Sequence, residues 1–400
     1  MRILQVILAF YPCQIWGGPP QNTLILSKGL QARGHQVQVL TTNILDYRTR
    51  LGNGSSQAEW EGIPVTYLKA HWWGKRSNSM GFIVSPDVWR YRQLIRGADV
   101  VHIHGYRHFL FFATALLARM YQVPYIVQAR GTTNTKFGRQ TLKQVVDHSA
   151  GRLVLKRAAG AVALTNAEVE EYTHLGVHKS SIAKIPNPLD PAICPELPDR
   201  EPFRYRHGIK PTEKVVLFLS RLHERKGLEI LIKAVAALQR PDVRLCIVGP
   251  DHGYQTTAER LTNDLGMRGA VLFTGPLYEQ EKFEAYAAAD VYVLPAKGGE
   301  GLPTTVIEAC YAGVPIIVTN TVEISEIVDG QIGLAINYDA DELKHALVEI
   351  LDSPTLQQTY KQNTSSVLRQ YFDLETILDR FEEHYHSVLR TNGTHPTSQF

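Results

Sequence analysis

The chain has 400 residues, 44% hydrophobic and 20% charged, with a net charge of +3; this composition fits a soluble globular protein of two ordinary domains. Its longest apolar run, Phe109 to Ala118, stops at Arg119, well short of the ~20 residues a membrane-spanning helix needs, and its four cysteines, Cys13, Cys194, Cys246 and Cys310, lack C-x-x-C spacing or a His partner at ligand spacing. A spanning protein and a cysteine metal site are therefore excluded, the thiols are expected reduced in a cytosolic protein, and the sequons at Asn53, Asn363 and Asn392 carry no weight.

Met1 to Phe10 lacks a small-residue cleavage site and reads as a first buried strand rather than a signal peptide. Gly17 and Gly18 follow it, ahead of a helix ending at Arg33-Gly34-His35. Glycine there lets a backbone approach a phosphate, although a plain turn explains two glycines as well and the full G-x-G-x-x-G fingerprint is absent. Strands are predicted over 36–41, 65–68, 100–104, 125–128, 160–164 and 183–185, alternating with helix-length segments, which indicates a doubly wound parallel sheet. Ala70-His-Trp-Trp-Gly-Lys-Arg76 places Trp72 and Trp73 beside two basic residues; this suits a membrane interface or a sugar-stacking surface, or a core pair. In Asp99-Val-Val-His-Ile-His-Gly105, alternation puts His102 and His104 on one face, with His104 nearest the ligand end of the strand. His102 is expected to be a hydrogen-bonded structural histidine, and neither has a third group at metal-ligand spacing.

Residues 1–195 carry 22 basic and 10 acidic side chains, or +12, against −9 for the rest. The basic density peaks from Arg130 to Arg157, where only Asp147 opposes it. Such a face could attract lipid headgroups, a lipid-linked pyrophosphate or nucleic acid, or be a solvated helix face; no nucleic-acid-binding motif accompanies it. Arg130 could face an acceptor or the surface.

Pro186-Asn-Pro-Leu-Asp-Pro191 through Pro211 reads as a linker. A second α/β series follows, with strands over 215–219, 243–248, 271–274, 291–295, 316–319 and 333–336. The expected domains are 1–190 and 199–373. Leu374 to Leu389 has an amphipathic helical pattern, and a flexible tail is expected over 391–400.

After the strand at 215–219 a loop carries Arg221 and Lys226, suited to gripping a phosphate, while Arg225 reads as a surface charge. Gly298-Gly-Glu-Gly-Leu-Pro-Thr-Thr-Val-Ile-Glu-Ala309 runs from a loop into a helix. A helix N-terminus suits a phosphate, and the carboxylates Glu300 and Glu308 suit the hydroxyl groups on either side of it. A nucleotide-sugar has that layout.

This segment, with Glu308-Ala-Cys-Tyr-Ala-Gly-Val-Pro-Ile-Ile-Val318, resembles the E-x7-E motif of retaining glycosyltransferases of family 4, which have the GT-B architecture of two Rossmann-like domains facing a cleft. Arg221-Leu-His-Glu-Arg-Lys-Gly227 is similar to that family's R-L-x-x-x-K-G, and Phe273-Thr-Gly-Pro-Leu277 to its F-x-G-x-V. The resemblance implies that Arg221 and Lys226 hold the donor diphosphate, and that Glu300 positions the sugar. By the same carry-over Glu308 holds the ribose, the Leu277 backbone meets the base, His104 approaches the transferred sugar, and Gly17 and Gly18 line the donor. Gly301, Leu302, Thr304 and Thr305 fall at donor-contacting positions, and the 374–389 helix crosses back onto the first domain.

It further implies retaining, metal-independent hexosyl transfer without a cofactor, from a UDP-sugar or a GDP-sugar, with UDP favoured. Arg130, Trp72 and Trp73 are acceptor-side candidates. The expected acceptor is a lipid-linked or cell-envelope glycan, reached from the cytoplasm with peripheral contact to an anionic membrane and without nucleic acid. Two departures stand out: Pro303 replaces a glycine, and Val322-Glu323 replaces a glycine pair. A GT-B-like epimerase or phosphorylase, or a non-catalytic nucleotide-sugar-binding protein, remain alternative readings.

Overall fold

The computed structural model describes residues 1–13, 18–46, 49–73, 82–133, 147, 151–189, 196–298 and 300–393. Gly17, Cys194, Lys75, Arg76, the basic-run residues Lys136, Arg139 and Lys143, and the chain after Gly393 lie outside these. Cα packing divides the chain into two units, Met1–Pro188 with the chain from Leu374 onward, and Leu189–Asp373.

The first unit is built on an eight-stranded sheet in the order Ile182–Lys184, Gly160–Ala163, Tyr125–Gln128, Val100–His104, Arg2–Ala9, Gln36–Thr42, Ile63–Leu68, Ser56–Trp60. Every pairing is parallel except the last, an antiparallel edge that sequence reading missed because Ser56–Trp60 is polar and exposed. Alternation sorts the strand side chains between two layers. Leu4, Val6, Val101, Ile103 and Val127 meet the helices Arg92–Gly97, Phe109–Met120 and Arg152–Lys156 on one face. Ile3, Val37, Val100 and Ile126 meet the helix Gly18–Ala32 and the final helix, Leu374–Gly393, on the other.

The final helix presents Ile377, Leu378, Phe381, Tyr385 and Val388 to that second face, a 3.6-residue stripe. Gly29 leaves room for it, since a Cβ there would lie 2.6 Å from Leu378. Arg33 reinforces the seam with ion pairs to Glu375, Asp379 and Glu382 at 2.5 to 2.6 Å. The helix outlasts its expected end, running to Gly393, because no breaker precedes that glycine and Thr391 Oγ1 donates back to Ser387 O at 3.1 Å.

The second unit has a six-stranded, wholly parallel sheet in the order Val271–Gly275, Val243–Val248, Lys214–Leu219, Val291–Leu294, Ile316–Thr319, Gly333–Ile336. The proline-rich stretch is not all irregular: Glu201–Arg206 is a helix, with Pro202 in the first turn, where a missing N–H costs nothing. Its Arg204 is buried against Asp290 at 2.9 Å and the Ala288 carbonyl. Leu189 N bonds Phe372 O at 3.1 Å, so the chain joins this unit at Leu189, earlier than the expected 199.

Phe381 is 1% exposed in the seam between the final helix and the sheet. Phe381→Ala should therefore destabilise the first unit by about 3 to 5 kcal/mol in urea unfolding; a loss below about 1 kcal/mol would show that the helix does not anchor that face.

Candidate active site

In the second sheet the strand order reverses between Lys214–Leu219 and Val291–Leu294. Ligands of such sheets bind beyond the carboxyl ends of the strands at this reversal, and both adjoining loops carry the predicted charged residues.

After Leu219 the chain turns through Arg221 into a 3-10 turn, Glu224–Lys226, and then through Gly227 into the helix Leu228–Leu238. Gly227 has φ +72°, and a Cβ there would lie 1.7 Å from the Pro295 carbonyl. Only glycine lets the two strand-end loops approach this closely. Arg221 is exposed, whereas Lys226 is buried and its Nζ lies 2.7 Å from Glu300 Oε2. Burial lowers the Lys226 pKa and Arg221 adds to the shift; Glu300 opposes both. Arg225 is not a plain surface charge. Its Nη2 lies 3.8 Å from Glu300 Oε1 and 3.5 Å from the Gly298 carbonyl, and its own carbonyl accepts from Lys297 N at 2.9 Å. Adjacency to Lys226 was the only signal for it.

The helix Thr304–Tyr311 opens on Thr304 and Thr305 with Pro303 at its N-cap. The missing proline N–H thus falls at the boundary, and the amides of both threonines keep their places in the first turn. Gly301 and Leu302 join this helix to Glu300, and the Glu300 carbonyl accepts from Glu323 N at 3.1 Å, so Val322-Glu323 braces the loop. Thr305 Oγ1 accepts from the buried Tyr292 OH at 2.8 Å.

Glu308 is 2% exposed. Lys282 Nζ reaches its Oε1 at 2.7 Å, and Tyr286 OH donates to Oε2 at 3.1 Å. Lys282 and Tyr286 lie four apart on the helix Glu279–Ala288, hence on one face; sequence reading missed both. Leu277 is half-buried in the loop between Gly275 and that helix.

The remaining candidates belong to the first unit. Gly18 opens the helix Gly18–Ala32, but Pro19 and Pro20 follow it and withdraw two amide donors from the first turn. His104 is buried: its Nε2 bonds Gln5 Oε1, and its Nδ1 accepts from Arg130 Nη2 at 3.1 Å, which fixes a neutral ring with the proton on Nε2. His102 and His104 share a face as predicted, with ring centroids 3.9 Å apart, and Tyr385 OH lies 2.8 Å from His102 Nδ1.

Arg130 turns inward to His104 and Asn187 Oδ1, the latter at 2.8 Å, and burial brings its pKa down to about 10. It is no part of a basic surface. Asp147 pairs with Arg107 at 2.6 Å, so it is that arginine, and not the basic run, which neutralises it. Trp72 packs against the core with the Arg50 guanidinium 5.0 Å from its ring, which favours the core reading; the Trp73 side chain lies outside the described residues.

Family models for a glycosyl transferase 4-like domain and for glycosyl transferases group 1 match residues 17–188 and 199–367. The chain belongs to the group 1 glycosyltransferases. It is 26% identical over 94% of its length, and 95% of the relative's, to the phosphatidyl-myo-inositol mannosyltransferase of Mycobacterium tuberculosis. A GDP-mannose-dependent monoacylated alpha-(1-6)-phosphatidylinositol monomannoside mannosyltransferase of Corynebacterium glutamicum is 37% identical, over 39% of this chain and 42% of that relative. Among solved structures, Anabaena HepE in complex with UDP superposes with a TM-score of 0.76 at 20% identity, covering 97% of this chain and all of that one. This group 1 glycosyltransferase thus has the α/β GT-B fold, with two Rossmann-like domains.

Four histidines of its first unit, the buried His102, His104 and His384 and the half-buried His108, have pKa values pushed below the ordinary 6.5 by desolvation, to about 4 for His108 and His384. The unfolded chain takes up these protons near pH 6.5 and the folded chain only lower, so stability is present above pH 6.5 and is lost on acidification toward pH 4. Thermal melts should show Tm falling from pH 7.5 to 5. His384→Asn should flatten that fall by the share of one histidine, about 1.4 kcal/mol per pH unit; an unchanged slope would contradict the burial argument.

Proposed function

We propose that this glycosyltransferase moves a hexose from a nucleotide-sugar to a hydroxyl of a glycolipid acceptor, with retention of configuration. The observation that carries the proposal is the Lys226–Glu300 pair at the reversal of strand order, with Arg221 beside it and a helix N-terminus following. It sets a cation for a diphosphate against a carboxylate for sugar hydroxyls.

In this reading the donor diphosphate lies against Arg221, Lys226 and the amides of Thr304 and Thr305. Those groups take the charge that develops as the sugar C1–O bond to phosphate breaks, the part a divalent cation plays elsewhere. Glu300 accepts hydrogen bonds from the hexose hydroxyls. The acceptor oxygen bonds to C1 on the face the phosphate leaves, and its proton passes to the departing phosphate oxygen. No group on the protein needs to form a covalent intermediate.

For the donor, the names of the relatives move the first candidate from a UDP-sugar to GDP-mannose, and for the acceptor they favour a phosphatidylinositol-type lipid. No helix among the described residues is long and apolar enough to cross a membrane, so such an acceptor would be met by peripheral contact.

Glu300→Ala and Arg221→Ala should each lower transfer by about 100-fold or more, measured as labelled hexose moved from GDP-mannose or a UDP-hexose into lipid extract. Near-normal transfer by both variants would refute the site. Consumption of the nucleotide-sugar without a glycosylated acceptor would instead favour an epimerase.

A further inference from the structure

The helices Arg92–Gly97, Phe109–Met120 and Arg152–Lys156 form one layer of the first unit, with Phe109–Met120 packed against both of the others. Their inner sides fill the core. Their outer sides combine two features that a solvated surface does not need together.

The first is exposed apolar bulk. Leu116 is 49% exposed, Met120 63% and Leu153 48%; Trp89, on the short turn Pro86–Trp89 that packs on the same central helix, is 40% exposed. Leu116 and Met120 lie four apart, one above the other on one side of the helix. Scattered single hydrophobes are normal on a surface, whereas several gathered on one layer of helices mark a contact.

The second is charge of one sign. The three helices contain no acidic residue, and Arg92, Arg96, Arg119, Arg152 and Lys156 are all exposed. From Val100 to Ala167 the only acidic residue is Asp147, which is buried against Arg107. Of the acids that flank the layer, Asp99 is engaged by Arg2 at 2.7 Å and Asp87 by Ser55 Oγ at 2.6 Å, which leaves Glu170, exposed on the neighbouring helix Asn166–His174, against five basic side chains. The basic side chains therefore meet little local opposition.

We propose that the outer face of these three helices docks the enzyme on an anionic phospholipid membrane. Trp89, Leu116, Met120 and Leu153 enter the boundary between headgroups and acyl chains, and the surrounding arginines and Lys156 meet lipid phosphates. A second copy of the chain is a poorer occupant, because a two-fold contact would set this basic face against itself. Nucleic acid would use the charge but gives no reason to expose Leu116, Met120 and Leu153. The inference deepens the proposed glycolipid acceptor by naming the surface that brings the enzyme to it.

Sedimentation with vesicles of phosphatidylcholine containing 30% phosphatidylglycerol tests it directly, with pure phosphatidylcholine as the neutral control, ~30% being an anionic fraction high enough to raise the surface potential. The intact protein should bind the anionic vesicles, more weakly as salt rises. Each basic residue near such a surface strengthens binding about fivefold, so R119E/R152E/K156E should lose about 100-fold or more. L116N/M120N/L153N should lose about tenfold while keeping the wild-type salt dependence.

Both variants should melt like the wild type and bind free GDP or UDP as it does, which separates a lost surface from a lost fold. The proposal is overturned if either variant binds vesicles like the wild type, if the wild type ignores anionic vesicles, if duplex DNA competes equally, or if light scattering shows a dimer that the variants dissolve. Hexose transfer to a detergent-dispersed lipid acceptor, run without vesicles, tests the proposed function independently. Loss of that activity with vesicle binding intact would sink the function and leave the docking face standing.

Discussion

Parallel strand pairing is the constraint on which the rest of the second unit depends. A parallel neighbour can be reached only by a crossover, so each strand is followed by a loop and a helix, and all the loops after strands gather at one edge of the sheet. Where the order reverses, between Lys214–Leu219 and Val291–Leu294, two adjacent loops depart in opposite directions and leave a crevice. Gly227 then decides how near those loops come, because its bare α-carbon seats the Pro295 carbonyl. That approach brings Lys226 within 2.7 Å of Glu300 although 74 positions separate them in the chain.

Much of this could be read from the sequence because its signals are local. Strand alternation, the glycines of the turns and the eight-residue step from Glu300 to Glu308 each lie within one loop and one element, so spacing indicated two doubly wound α/β units and a carboxylate pair, while the GT-B architecture came from the resemblance to a known family. What could not be read are partners brought together by packing. Nothing near Glu308 announced Lys282 and Tyr286, 26 and 22 positions earlier, and nothing near His104 announced that Arg130 would turn inward onto it. Charge counting failed for the same reason. It grouped Arg130 and Asp147 into one basic run, whereas in the fold Arg130 serves a buried histidine and Asp147 a buried arginine.

The candidate regions of the two units manage buried polarity in different ways, although the first unit also buries a charged pair, Arg107 with Asp147. In the first, His102, His104, Gln5, Arg130 and Tyr385 form a chain of hydrogen bonds and a ring contact, in which the histidines stay neutral because a charge there would go unsolvated. His104 therefore donates to Gln5 and accepts from Arg130, and a ligand group could gain a bond from it only by displacing one of these. At the candidate site of the second unit the buried charges are each matched by a half-buried partner, Lys226 by Glu300 and Glu308 by Lys282. Such pairs gain little net stability, since attraction barely offsets lost hydration, but removing one member strands the other at a cost of several kcal/mol.

That asymmetry bears on how a donor would bind. In the proposed reading, a diphosphate at Lys226 would meet a cation already balanced by Glu300 at 2.7 Å, and the phosphate would have to share the lysine with the carboxylate. A diphosphate alone would then set phosphate charge beside Glu300 with nothing between them. A full nucleotide-sugar sets hydroxyl groups against that carboxylate and restores the hydrogen bonds that Glu300 gives up. If the donor binds as proposed, the Lys226–Glu300 pair would thereby favour the intact donor over the bare diphosphate product, and weak retention of that product is what turnover requires.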